Sequence, residues 1–198
     1  MLTPIRKPER LNLSQAGVLI ACGDTDGMQI MSQMFAGFGV HTPRCCTTGH
    51  EAMDIARDRE LNLLVVDAEL ADGPGEGFIR ELRTSGLSPN SVAPIVFVLG
   101  HTTPSLIVRG RDAGASFVVR KPIPPIVMMQ RIIWLLNDER KFINAPGYAG
   151  PDRRVRAIGP PAGMKGRRHD DLSYEVGKAV TVDIDERIPR RDGEGTIQ

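Results

Sequence analysis

Five short apolar runs, separated by stretches of helical period, constrain this chain more than any other feature it carries. The runs lie at 18–21 (VLIA), 41–46 (HTPRCC, the weakest), 61–67 (LNLLVVD), 94–100 (PIVFVLG) and 116–120 (SFVVR). Each has the length of a buried strand. Between the first two, Met28, Met31, Met34, Phe35 and Phe38 recur at three- and four-residue spacing, which is one apolar face of a helix. Methionines on such a face are read as core filler. Thr48 stands where it caps a second helix carrying Ala52, Ile55 and Ala56. FIRELRTSG supplies a third helix and residues 104–114 a fourth. PPIVMMQRIIWLLNDERKFI, residues 124–143, supplies a fifth and longest, whose two prolines suit a first turn.

A strand that returns parallel to its neighbour needs a crossover, usually helical. The alternation therefore predicts an α/β fold, a doubly wound five-stranded parallel sheet with helices on both faces. Ligands of such sheets gather beyond the carboxyl ends of the strands. That rule directs attention to residues 22–24, Asp67, 99–100 and 120–121.

Composition narrows the classes. The chain has 198 residues, 41% hydrophobic and 25% charged, an ordinary globular mixture. A net charge of +1 gives no overall field for nucleic acid or membrane, and neither a helix-turn-helix nor a stacking platform is visible. No apolar run approaches the roughly 18 residues of a membrane span. The opening MLTPIRKPERLNLSQ lacks a secretory apolar segment, so a cytoplasmic location is expected. Cys22, Cys45 and Cys46 are odd in number and have no CxxC spacing; they read as buried or semi-buried free thiols. The chain shows no nucleophile triad and no metal cluster, and GDTDG is too short for a dinucleotide fingerprint. An enzyme is not expected.

The organisation expected is an N-terminal extension over 1–15, an α/β domain over 16–143 and a Gly/Pro/Arg-rich tail over 144–198. The tail has no sustained apolar period and should lack a core of its own. KAVTVDI supplies one short edge strand near 178–184.

Asp67 is the informative residue. It follows LLVV directly, so a rigid strand would hold its carboxylate at the sheet end; its bland role is to form a turn before AELADG. Lys121 ends the last strand, precedes Pro122 and would face the same cleft. A carboxylate paired with an ammonium suits a covalent acyl phosphate, the aspartate acting as nucleophile and the cation balancing the incoming charge.

LLVVD, then DAGAS, then RKP, with VLIACGD as first strand, resemble the receiver domain of bacterial two-component response regulators, best known from the single-domain chemotaxis regulator. The resemblance covers roughly residues 16–143. It implies Asp67 as phosphoacceptor, Lys121 as phosphate countercharge, Mg²⁺ as cofactor, and a histidine kinase, phosphotransferase or downstream signalling protein as partner. Departures stand at other family positions. The pair of carboxylates that helps hold the metal falls on Cys22 and Gly23, leaving Asp24 one step late as a doubtful ligand beside Asp67. The hydroxyl switch position falls on Leu99 and the aromatic one on Val118. Mg²⁺ demands near-octahedral oxygen coordination, so the expected site is poor and phosphorylation of Asp67 inefficient. The alternative is a phosphorylation-independent adaptor with a receiver fold. Trp134 is read first as core; second, it belongs to a last helix that in this family contributes to a homodimer face.

GPDRR and the residues after it resemble an extension found behind receiver domains of some alphaproteobacterial proteins. Six Lys or Arg lie between 153 and 168 with no acidic residue among them. A solvated tail is the plain reading. An arm that docks on an acidic partner or binds a cyclic dinucleotide is the functional one, because guanidinium forks suit phosphate. Arg153, Arg154, Arg156, Arg167 and Arg168 are its candidates.

Overall fold

The structure is a computed structural model that describes residues 13–101, 103–138 and 140–153. The strand expected near 178–184 and nearly all of the N-terminal extension lie outside the described residues.

The elements run β1 (Val18–Ala21), α1 (Thr25–Gly37), β2 (Arg44–Cys46), α2 (Gly49–Asp58), β3 (Leu63–Asp67), β4 (Glu69–Leu70), β5 (Gly73–Pro74), α3 (Gly75–Thr84), β6 (Ile95–Leu99), α4 (Pro104–Ala113), β7 (Phe117–Arg120), α5 (Pro125–Leu136), β8 (Phe142–Ala145) and β9 (Tyr148–Pro151). Five of the strands form one parallel sheet in the order β2-β1-β3-β6-β7, as the alternation predicts. Two small antiparallel hairpins, β4-β5 and β8-β9, were not foreseen.

Side chains alternate across the sheet with period two. Leu19, Ala21, Leu64, Val66, Ile95, Phe97 and Leu99 point to one face, where α2, α3 and α4 cover them. Val18, Ile20, Val65, Val96, Val98 and Val119 point to the other, against Met31 and Phe35 of α1 and Met128, Ile132 and Leu135 of α5. Met28, Met34 and Phe38 complete the predicted face of α1.

Local signals place the helix starts. Asp24 caps α1, accepting from the amides of Asp26 and Gly27. Thr48 caps α2 by accepting from the Glu51 amide, and Glu51 reaches back to the Thr47 amide at 3.2 Å. Thr103 caps α4, which opens on Pro104 and closes on Gly114 in the left-handed region.

Four expectations change. Helix α5 stops at Leu136 instead of running to 143, which leaves the 13-residue α1 longer than the 12-residue α5. Asn137 folds back to the Ile133 carbonyl and Arg140 forks onto Asp138, turning the chain. Trp134 is not core: it is 42% exposed, stacked edge-on against Phe117 under the Arg140 guanidinium. Cys45 is exposed, because it sits on the outer strand β2. The expected start of an irregular tail at 144 falls inside the β8-β9 hairpin. Gly147, with φ +84, turns that hairpin, and it packs on α3 and α4. No helix among the described residues is long and apolar enough to cross a membrane.

Candidate functional site

The carboxyl ends of β1, β3 and β7 bring Cys22, Asp67 and Lys121 together. Asp67 is the last residue of β3 and is buried, with its register partner Val98 beside it in β6. Its Oδ2 accepts from the Cys22 thiol at 3.2 Å and from the Lys121 ammonium. Its Oδ1 accepts from the Glu69 amide at 3.2 Å. Lys121 is positioned through its own amide, which donates to the Leu99 carbonyl at 2.7 Å.

Electrostatics follow from this packing. Burial pushes the Cys22 thiol up to about 11, and the neighbouring Asp67 carboxylate adds to the effect. It is therefore a neutral thiol near pH 7. For Lys121 burial works against the charged form, but the hydrogen bond and charge of Asp67 outweigh it and the net direction is upward. The pair is an ammonium and a carboxylate that hold one another.

The turn after β3 packs as a strap against residue 23 and the start of α2. The Gly23 amide donates to the Glu69 carbonyl at 3.0 Å, and the Ala71 amide donates to the Thr47 carbonyl at 2.9 Å. Asp72 accepts from the Gly49 and His50 amides at the start of α2, bonds that lower its pKa. A Cβ on residue 23 would meet Glu69 O at 2.7 Å and Ala71 N at 2.9 Å. The strap thus fills the direction in which a side chain at 23 would point.

Fit to Mg²⁺ can be tested on the donors present. Asp67 supplies one carboxylate, already engaged by three donors. Cys22 supplies a neutral thiol, a soft group unsuited to a hard cation. Gly23 supplies no side chain, and both oxygens of Asp24 already accept from α1 amides, at 3.2 and 3.0 Å. These residues do not fit the ion. Leu99 is fully buried in the core, and Val118 packs against the same cluster, so neither offers a polar or aromatic group to the cleft. Of the arm residues only Arg153 is described; it pairs with Asp112 at 2.6 Å and lies over the Tyr148 ring. Arg154, Arg156, Arg167 and Arg168 lie outside the described residues. The strap residues 69–72 were missed in sequence, although a glycine two residues after β1 and the turn-rich ADGPG were its signals.

A parallel five-stranded sheet with an aspartate on the central strand and a lysine on the edge strand at one cleft defines a receiver-type signalling domain. The response regulator receiver domain family model matches residues 18–133, more than half of the chain, and the chain belongs to that family. Two-component signalling is the setting this membership implies. No curated protein matches the chain. Among solved structures it is similar to a receiver domain protein from Methanospirillum hungatei (22% identity, 62% of this chain and 94% of that one, TM-score 0.54). It is similar also to a two-component response regulator from Clostridium difficile (18% identity, 64% of this chain and all of that one, TM-score 0.56). A third is the receiver domain of a modulated diguanylate cyclase from Desulfovibrio desulfuricans (19% identity, 62% and 94%, TM-score 0.54). At these identities the likeness speaks for the fold alone.

Proposed function

We propose that this chain is a receiver-type signalling protein of a two-component or phosphorelay system that works by protein-protein contact, with Asp67 a poor phosphoacceptor. The observation that carries this is the closed state of Asp67. Its carboxylate is buried and shared between the Cys22 thiol, the Lys121 ammonium and the Glu69 amide. Nucleophilic attack on phosphorus needs a free carboxylate oxygen and charge stabilisation of the transferring group. Lys121 supplies one positive charge. A divalent cation, normally worth several kcal/mol or roughly two orders of magnitude or more in rate, has no ligand set here. Phosphorylation should be slow and indifferent to Mg²⁺.

The same observation favours a second reading, a phosphorylation-independent adaptor whose receiver fold stays in one state. One experiment separates the two. The full chain is incubated with acetyl phosphate, with and without Mg²⁺, and intact mass is followed beside Asp67→Asn. A slow adduct, unchanged by Mg²⁺ and lost in the variant, supports a poor acceptor. No adduct leaves the adaptor. Rapid Mg²⁺-dependent labelling overturns both.

A further inference from the structure

The described residues after the family match, 134–138 and 140–153, stay packed on the domain. Arg140, held by Asp138, donates to the Ser116 carbonyl at 2.9 Å ahead of β7. The β8-β9 hairpin then crosses the C-terminal ends of α3 and α4. Its fit to α4 is backbone against backbone. A Cβ on Gly114 would lie 2.3 Å from the Ala149 carbonyl oxygen, and one on Gly150 would lie 2.7 Å from the Gly114 Cα. Both positions must be glycine, and Gly114 has φ +100 as well. The Tyr148 hydroxyl donates to the Pro151 carbonyl at 2.6 Å. Arg153 lies 3.6 Å above the Tyr148 ring centroid and pairs with Asp112 in the last turn of α4.

Beneath the hairpin is Arg83 of α3, 3% exposed and without a carboxylate ion pair among the described residues. Its guanidinium donates to the carbonyls of Gly114 (2.9 Å), Ser91 (2.8 Å) and Ala93 (2.7 Å), and the Phe142 ring of β8 lies 5.5 Å from its Cζ. A buried cation held by carbonyl dipoles needs its remaining face covered by something polarisable and dry, and Phe142 supplies that. One arginine thus ties α3, the C-cap of α4 and the hairpin together.

Helix α4 consequently has fixed points along its length. Gly110 sits on the Phe97 ring of β6, where a Cβ would come within 2.3 Å of Phe97 Cδ1. Strand β6 ends at Leu99, whose carbonyl holds the Lys121 amide beside Asp67. The far end of α4 is held by the hairpin.

We propose that the β8-β9 hairpin is a built-in clamp that pins α4 to the sheet, so that hairpin and helix open together as one cooperative unit. The clamp is independent of chemistry at Asp67. The GYAGPDR stretch is then a docking element: glycines for close approach, tyrosine and arginine for the anchor.

Hydrogen-deuterium exchange on the full chain tests this, comparing wild type with Gly150→Val and with Arg153→Ala, which removes only the peripheral anchor. In wild type the hairpin amides and those of 104–114 should be protected together. Either variant should lower both by a common factor, about tenfold or more for Gly150→Val, with β1 and β3 unchanged. If Gly150→Val loses protection throughout, Arg153→Ala carries the test with a smaller change of the same pattern. A hairpin that exchanges as free peptide in wild type, or α4 protection unmoved when the hairpin is released, overturns the proposal.

Discussion

Gly23 and Glu69 meet backbone to backbone, the amide of one on the carbonyl of the other at 3.0 Å, with no room between them for a Cβ. The two positions where the resemblance places metal-binding carboxylates are therefore unequal in this chain. Position 22 faces Asp67; position 23 faces the strap. Cys22→Asp should create a pair of carboxylates beside Asp67 and give a melting temperature that rises with millimolar Mg²⁺, where wild type shows no rise. Gly23→Asp should instead displace the strap and cost about 1–3 kcal/mol, as overpacking does. Thermal unfolding of the three proteins with and without Mg²⁺ checks both statements. A wild type stabilised by Mg²⁺ as strongly as Cys22→Asp would contradict the donor-set argument.

The cysteines should differ in reactivity. Cys45 is exposed, while Cys22 and Cys46 are buried and their thiols are pushed up to about 11 and about 12 by that burial. Because the thiolate is the nucleophile, iodoacetamide near pH 8 should label Cys45 alone in the folded protein and all three after denaturation. The sign of the pH effect follows. The folded state holds these protons more tightly than the unfolded state, so stability is full below the ordinary thiol value of 9.0 and falls as pH rises toward 11 and 12. Urea midpoints measured between neutral pH and pH 10 should decline, and Cys22→Ser should decline less. Equal slopes for the two would remove Cys22 from the account.

Much of the fold was legible because it rests on local pattern. The short apolar runs and the three-four spacing placed the five strands of the main sheet and five helices, and Thr48 is the cap it was expected to be. What stayed hidden depends on contacts distant in sequence. Nothing in IIWLLN says that Trp134 would be covered by Phe117 and Arg140 and not by the core. The hairpin that follows NDERKFI was hidden as well, since the surface that seats it is built from Arg83 and Gly114, some thirty to sixty residues earlier. At the site, Asp67 and Lys121 could be placed by strand ends, and the structure brings them into contact. The role of Gly23 could not, because a glycine's reason for being is the neighbour it makes room for.

Gly110 and Phe97 offer a direct test of how α4 is seated. A methyl group on residue 110 would enter the Phe97 ring, so Gly110→Ala should destabilise by about 1–3 kcal/mol despite alanine's better helix propensity. Phe97→Leu removes the ring and leaves a cavity of its own, yet it should make room for the alanine. The double variant is then less destabilised than the sum of the two singles, by more than the roughly 0.5 kcal/mol of independent sites. Urea unfolding of the four proteins measures it. Strict additivity would show that the helix shifts freely on β6.

Lys121 and Asp67 should prove coupled in stability whether or not a phosphoryl group is ever transferred. Lys121→Met leaves a buried carboxylate with the Cys22 thiol and one amide as its donors, at a cost of about 1–3 kcal/mol. Asp67→Asn is worse matched than it looks, because one position that accepted from Lys121 and Cys22 becomes either a second donor or a weaker acceptor. Combining the two removes the unpaired charge, so the double variant should recover part of the loss, a coupling of about 1 kcal/mol or more. The pH dependence separates this from simple packing. The folded pKa of Lys121 is raised above 10.5, so its contribution is complete below that value and is lost only as pH climbs through the higher folded one. The wild-type to Lys121→Met difference should therefore be flat over roughly pH 6 to 9. A difference that vanishes within that window would mean that the ammonium is not what holds Asp67.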